Sequence, residues 1–547
     1  MNSSSLLPYT VYSVYQCSLL CTSVGGDWYP GLCPSPHPLP VCAINLQLRD
    51  STCSLLTPST MELHLSLLVS ALLVLCAGNP RQVPPERSPG SAGPSDTRTD
   101  VFSEILTSNQ GTSKSMIQGD IAVKKSRNAL MCPGKSCLWP RSRKGLVLVP
   151  YTLSNNYNST ERDIIRAAMD EVTVLTCIQF VTYNNESDYL RIRPYDGCWS
   201  YIGRVGGAQD VSLMKTGCLH HGVIQHELLH SLGFQHEQCR SDRDNYININ
   251  WDNISHDKER NFLKMNTQNL GSPYDYLSVM HYGKFAFATN SGKPTLEPKG
   301  NPSAMIGQRV GLSSLDVEKI NRLYQCSVCG FLLADRWGDF SWNSRLYPNT
   351  SVCVWLIRVP QGKVFLQFHS LGIRPSPACA QGSVTVYDGQ SKESPLLISK
   401  TCGKARPAGV VASGNLIRMD VATSGLGVNF RALYFSVKCG GSFFQPFGNF
   451  STPNFPAKYP NATDCVWTIL APIGYKIALS IAHFDLEASQ GCSHDYLVLR
   501  DSRRQQKKCG VIPLLNYTSY GRSLLIYFHS DASVEAGGFH ASYYFTS

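Results

Sequence analysis

Residues 225–237 read Gln-His-Glu-Leu-Leu-His-Ser-Leu-Gly-Phe-Gln-His-Glu, and no other stretch constrains this chain as strongly. His226 and His230 stand four apart, so on a helix they lie one above the other on one face. Two imidazoles placed this way can hold one zinc ion, with Glu227 beside the first and within reach of water at the metal. Gly233 can take a positive φ and end the helix, which turns the chain and brings in His236 as third ligand. Chance yields HExxH in roughly 7% of chains this long, and requiring Gly233 and His236 as well cuts that about 400-fold. A pair of surface histidines on a helix accounts for the short motif but not for the longer one.

The chain has 547 residues and 21 cysteines, enough length for three or four cores at roughly 150 residues each. Recurring cysteine spacings indicate a disulfide framework and an oxidising compartment, which excludes a cysteine-poor cytosolic enzyme. The apolar run Leu65–Cys76 lies within MELHLSLLVSALLVLCAG, which begins at Met61. It is shorter than the roughly 20 residues of a bilayer span, so no membrane span is expected. Small residues follow it, and residues 61–78 read as a secretory signal cleaved near Ala77 or Gly78. Residues 1–60 are then an extension preceding the start at Met61. Residues 79–127 open in a Pro/Ser/Gly-rich stretch and read as a pro-segment.

From 128 to 327, strand-like runs (GLVLVPYTL, YLRIRPY) alternate with helical ones (TERDIIRAAMDEVTVL, GVIQHELLHSLGF), the texture of an α+β domain. Beyond Cys326 an internal repeat appears: CVWLIRVPQGK from Cys353 is echoed by CVWTILAPIGYK from Cys465. Short alternating strands between turn residues predict two β-sandwiches, 329–438 and 439–547. The net charge is +10, and residues 328–438 hold 12 Lys and Arg against 5 Asp and Glu. Nothing resembles a basic nucleic-acid arm, so no nucleic-acid partner is expected. A solvated basic face is the plain account of the excess, with sulfated or sialylated matrix as a weak partner.

Downstream of the histidines stands Ser278-Val279-Met280-His281-Tyr282. Together the two motifs resemble the metzincin metalloproteases. More narrowly, HELLHSLGFQHEQ followed by RSDRDNYININW and SVMHYG is similar to the astacin family, over about residues 116–326. The repeats after it resemble CUB domains, and the layout is similar to vertebrate hatching enzymes of the amphibian type. The fold class implied is an α+β astacin-like catalytic domain followed by two all-β CUB sandwiches.

The resemblance implies roles residue by residue. His226, His230 and His236 would hold one zinc ion per catalytic domain, with Glu227 as general base and proton shuttle. Tyr282 would be an extra zinc ligand that swings away and hydrogen-bonds the oxyanion, and Met280 an apolar floor. Asp120 would take the zinc before activation. Cleavage within Lys124-Lys125-Ser126-Arg127-Asn128-Ala129, after Arg127, would free the amine of Asn128 to fold toward Glu237.

The implied disulfides are Cys132–Cys137, Cys177–Cys326, Cys198–Cys218, Cys329–Cys353, Cys379–Cys402, Cys439–Cys465 and Cys492–Cys509, with Cys239 left over. Tyr459, Glu487, Asp495 and Asp531 match calcium-binding positions of CUB domains, whereas the first copy carries Arg374 and Gly382 at the corresponding places. Sequons at Asn158, Asn185, Asn253, Asn349, Asn449, Asn461 and Asn516 agree with secretion.

The expected protein is therefore a secreted, extracellular zinc endopeptidase made as a zymogen, with storage in secretory granules as one route. Its CUB domains would make protein or glycan contacts. Egg-coat glycoproteins are the expected substrate; matrix or growth-factor processing is the alternative. A secreted, non-catalytic CUB adhesion protein is the rival from another class, and the intact His226, Glu227, His230, His236 and Tyr282 argue against it.

Overall fold

The computed structural model describes residues 100–123, 136–290, 292–308, 310–347, 351–425 and 427–547. The expectations for residues 1–99, Arg127, Asn128, Cys132 and Asn349 fall outside them. The described residues belong to one compact unit, Ser95–Ser547. Among them, no helix is long and apolar enough to cross a membrane.

Helix α1 (Val101–Ser108) starts at Asp100, whose side chain accepts from the Ser103 amide. A hairpin follows, β1 (Met116–Ile117) and β2 (Ile121–Ala122). The α+β domain proper then runs β3 (Val147–Leu153), α2 (Ser159–Leu175), β4 (Ile178–Thr182), β5 (Tyr189–Arg193), β6 (Cys198–Ser200) and β7 (Ala208–Leu213). After it come α3 (His221–Ser231), β8 (Ile247–Ile249), β9 (Leu296–Pro298) and α4 (Ser314–Leu323).

The sheet order is β1-β2-β6-β7-β5-β3-β4. Parallel pairing joins β4, β3, β5 and β7, while β6 turns antiparallel on β7. The outer edge of β6 is covered by β2, which pairs parallel through Ile121 and Ser200. So the N-terminal hairpin lies along the strand edge that borders the histidine helix.

Helix α2 forms where the sequence has helical apolar spacing, and it buries Ile165, Ala168, Met169, Val172 and Leu175. A capping box closes its start: Asn158 accepts from the Glu161 amide while Glu161 accepts from the Asn158 amide. One charged side chain, Glu171, is buried with the apolar ones. Helix α3 buries every residue from Gly222 to Ser231, the pattern of a helix enclosed on all sides rather than lying on a surface.

Each repeat forms two packed antiparallel-dominated sheets. In the first, one sheet runs Gly330–Leu333, Val352–Arg358, Leu416–Thr423, Gly382–Tyr387, Leu396–Thr401. The other runs Trp337–Asn343, Asn429–Val437, Lys363–Gly372, Val410–Val411. The second repeat has the same order: Cys439–Phe443, Thr463–Leu470, Ser523–Ser530, Tyr496–Arg500, Gln505–Lys508 against Phe447–Ser451, Gly538–Thr546, Lys476–Asp485, Leu515–Thr518. Trp355 and Trp467, from the repeated CVW, are buried in the two cores.

Among the described residues, disulfides join Cys177–Cys326, Cys198–Cys218, Cys329–Cys353, Cys379–Cys402, Cys439–Cys465 and Cys492–Cys509. Cys137 is disulfide-bonded, and Cys239 is free and buried.

Candidate metal centre

Helix α3 carries His226 and His230 on one face. It ends as foreseen from its glycine: Gly233 takes φ 99°, its amide bonds the His230 carbonyl, and the chain turns back to His236. The three rings converge. The Nε2 atoms of His226, His236 and His230 lie 2.9, 3.2 and 3.6 Å from one oxygen, Oδ2 of Asp120. All four side chains are fully buried.

The far nitrogens are tied down. His226 Nδ1 meets the Val279 carbonyl, His230 Nδ1 the Phe234 carbonyl and His236 Nδ1 the side-chain oxygen of Gln118, each at 2.8 Å. An acceptor at Nδ1 puts the proton there and leaves Nε2 free as a lone-pair donor. Burial pushes His236 down to about 3 and His230 down as well, against the pull of Asp120, so both rings favour the neutral, ligating form.

These residues fit a metal ion. Asp120 and the three histidines can each offer one ligand atom within 4.8 Å of the others. Asp120 Oδ1, His230 Nε2 and both Glu227 carboxylate oxygens are buried without a hydrogen-bond partner. Orphaned polar atoms are costly, and a cation in their midst removes the cost. Burial, and then the charge of Asp120, raise Glu227 well above the usual carboxylate range. A carboxyl poised to carry a proton is what a general base needs.

Asp120 reaches the centre through a short turn. Gly119 has φ 97°, and a Cβ there would lie 2.9 Å from Leu106 and 3.0 Å from Phe102. Gln118 binds both sides of the site, because its carbonyl also accepts the Tyr282 hydroxyl at 2.6 Å. Tyr282 is fully buried, with its ring stacked on Phe102 at 3.8 Å and 4.8 Å from the His236 ring.

Met280 is buried in the core of the α+β domain, and its carbonyl accepts the Glu237 amide at 3.1 Å. The turn holding it is fixed from below by Asp316, which accepts from Ser278 Oγ at 2.6 Å and the Val279 amide at 2.8 Å. Glu237 is enclosed by Lys319 Nζ at 2.7 Å, Arg240 Nη1 at 3.0 Å and the Asp275 amide at 2.9 Å. Sequence reasoning missed Gln118, Phe102 and Asp316. Only Asp316 left a signal, the Ser-x-x-Asp box at 313–316.

In the second repeat, ligand atoms of Glu487, His494 and Asp531 lie within 4.8 Å of one another. Asp495 stands behind them, accepting the Tyr459 hydroxyl at 2.5 Å and the Asp531 amide at 2.8 Å. The site therefore brings Glu487 and Asp531 together and uses Tyr459 and Asp495 to brace them.

Three converging imidazoles beside an unpartnered carboxyl are what metal-assisted peptide hydrolysis requires, and the class they define is the metalloendopeptidases. Residues 135–325 match the Astacin peptidase family model, and residues 329–430 and 439–543 each match the CUB domain. The chain belongs to the astacin family. Embryonic protein UVS.2 of Xenopus laevis is 42% identical over 465 residues, covering 84% of this chain and 90% of that one. The astacin-like metalloendopeptidase of Gallus gallus is 45% identical over 356 residues, covering 64% and 87%. Low choriolytic enzyme of Oryzias latipes is 49% identical over 229 residues, covering 42% and 84%.

Proposed function

We propose that this chain is a secreted zymogen whose catalytic domain, 128–327, digests egg-envelope glycoproteins once 79–127 has been cut away. The observation that carries latency is the position of Asp120, with one carboxylate oxygen facing all three Nε2 atoms. His226, His230 and His236 would hold zinc after activation. The bound ion supplies Lewis acidity, polarising the scissile carbonyl and lowering the pKa of water at the site.

The chain's own groups do the rest. Glu227 takes a proton from the attacking water and delivers it to the leaving amine. Tyr282, freed from Gln118, donates its hydroxyl to the oxyanion, a charge that exists only after attack. Met280 and Asp316 hold the turn beneath the histidines. Asn128 would reach toward Glu237, already an anchor for two cations.

Egg-envelope digestion is supported by the choriolytic relative; matrix or growth-factor processing is the second reading, supported by the CUB pair. Secretion through a signal at 61–78 is supported by the disulfides. Calcium at Tyr459, Glu487, Asp495 and Asp531 is supported by the convergence of the acids, and a calcium-dependent rise in melting temperature of the full chain is its check.

The test of function is digestion of casein, and then of isolated egg envelopes, by chain processed after Arg127. A zinc chelator should stop both, and Glu227→Ala should lower kcat on the order of 10³-fold. Asp120→Ala should show activity before processing. Full activity in Glu227→Ala would reject it as the base, no digestion by the processed wild type would return the protein to the adhesion class, and a silent unprocessed Asp120→Ala would remove the switch.

A further inference from the structure

Helix α3 has a weakness at its start. Its N-cap, His220, makes no side-chain cap hydrogen bond, so the first turn has no local partner of the usual kind. It is held from the side instead. His221 Nε2 lies 2.8 Å from Glu171 Oε2, and Gln225 Oε1 accepts the Leu312 amide at 2.8 Å. Both contacts converge on a group from another domain. Arg358, in the first CUB copy, donates through Nη1 to Glu171 Oε1 at 2.6 Å and through Nη2 to the Leu312 carbonyl. Glu171 is 0% exposed and Arg358 5%, so the pair is sealed from water.

The surroundings make this an interface and not a chance contact. Leu332 and Leu356 from the CUB copy belong to the catalytic core cluster, at 3% and 0% exposure. Gln390 adds a bond to the Ala167 carbonyl at 2.7 Å, on helix α2. The internal repeat supplies a control. Cys353-Val-Trp-Leu-Ile-Arg aligns with Cys465-Val-Trp-Thr-Ile-Leu, so Leu356 and Arg358 correspond to Thr468 and Leu470. The CUB fold itself therefore does not need an arginine there; the copy that touches the catalytic domain has one.

We propose that Arg358 is a positioning residue for the metal centre: through Glu171 and Leu312 it holds the first turn of the helix that carries His226 and His230. His221 precedes His226 by five residues, about 7.5 Å along the axis, so a loosened first turn is felt at the first ligand. Burial alone would raise Glu171, but Arg358 and then His221 bring it to about 2, so the anchor stays charged at any physiological pH. Removing one partner of such a pair strands a buried charge, whereas replacing both with apolar groups is close to neutral. That asymmetry provides the test.

The experiment uses the full chain as Arg358→Met, Arg358→Lys, Glu171→Gln and the paired Glu171→Met/Arg358→Met. Amide hydrogen exchange across residues 222–228 and zinc loss to a chelator are followed in each, with kcat and KM after processing. Arg358→Met and Glu171→Gln should each speed zinc loss by roughly 10-fold, the order seen when partners behind ligands are lost. Exchange should rise selectively in the first turns of α3, and kcat should fall while KM holds. Arg358→Lys keeps the charge beside Glu171 but loses the second donor to Leu312, so it should restore part of each.

Wild-type exchange and zinc retention in Arg358→Met, even beside a lower melting temperature, would overturn the proposal. So would a lysine variant no better than methionine. If Arg358→Met is not secreted, the paired variant decides. Restored secretion supports the coupling of the two residues, and failure of both variants overturns it.

Discussion

Cys239 lies three residues past the third histidine, with no sulfur partner and 0% exposure. Burial pushes its thiol up to about 12, so almost no thiolate exists at neutral pH, and the thiolate is the reactive form. A thiol reagent at pH 8 should leave Cys239 unlabelled in the folded chain and modify it after denaturation without reductant. Native labelling at the unfolded rate would mean the residue is accessible. At this scale the sequence was most informative where chemistry depends on spacing: His226, Glu227, His230, Gly233 and His236 are read from a helix period and one turn. It was silent on Gln118, which meets His236 across 118 positions and has an ordinary local context. A contact made by folding leaves no local pattern.

Among elements, α4 shows how a local signal acquires a distant use. Ser313 and Asp316 form a capping box, as their spacing allows, yet Asp316 also accepts from Ser278 Oγ and the Val279 amide. Val279 in turn supplies the carbonyl that fixes His226. The period of a helix was legible; the second duty of its cap was not, because it is made with residues 37 and 38 positions away. Asp275 sits beside this end, hydrogen-bonded to Ser313, and burial followed by the charge of Asp316 raises it to about 7. A carboxyl raised on folding contributes stability that is complete below its unfolded pKa and lost as pH rises through 7. Asp316→Ala should therefore do two things in denaturant titrations. It should lower stability by at least about 3 kcal/mol by stranding buried donors. It should also flatten the decline between about pH 4 and 7. A large loss with an unchanged slope would detach Asp275 from Asp316.

At the scale of the whole molecule, the domains are stacked face to face. The first CUB copy presents one sheet to the catalytic domain through Leu356 and Arg358. Its other sheet offers Phe365, Val411 and Val437 to Val466 of the second copy, forming a separate buried cluster. Ser442 Oγ accepts from the Val411 amide at 2.8 Å and donates to its carbonyl at 3.0 Å, and Lys363 reaches the Gly440 carbonyl at 2.8 Å. The repeat announced two sandwiches, because strand alternation and cysteine spacing are local. It did not announce this seam, because an apolar residue on an outward strand face reads like any other until a neighbour covers it. Covalent geometry adds to the coupling: the strand ending at Val437 and the one beginning at Cys439 are separated only by Lys438. One residue is too little chain to let two packed modules pivot freely. The seam should therefore make the CUB pair unfold together, and Val466→Asp, which buries a carboxylate among apolar side chains, should break that coupling. In calorimetry of the full chain, the wild type is expected to melt its CUB pair in one transition and the variant in two. Trypsin should also cut faster at Lys438 in the variant. A single unchanged transition in Val466→Asp would show that the chain connection alone, and not the packed faces, joins the two modules.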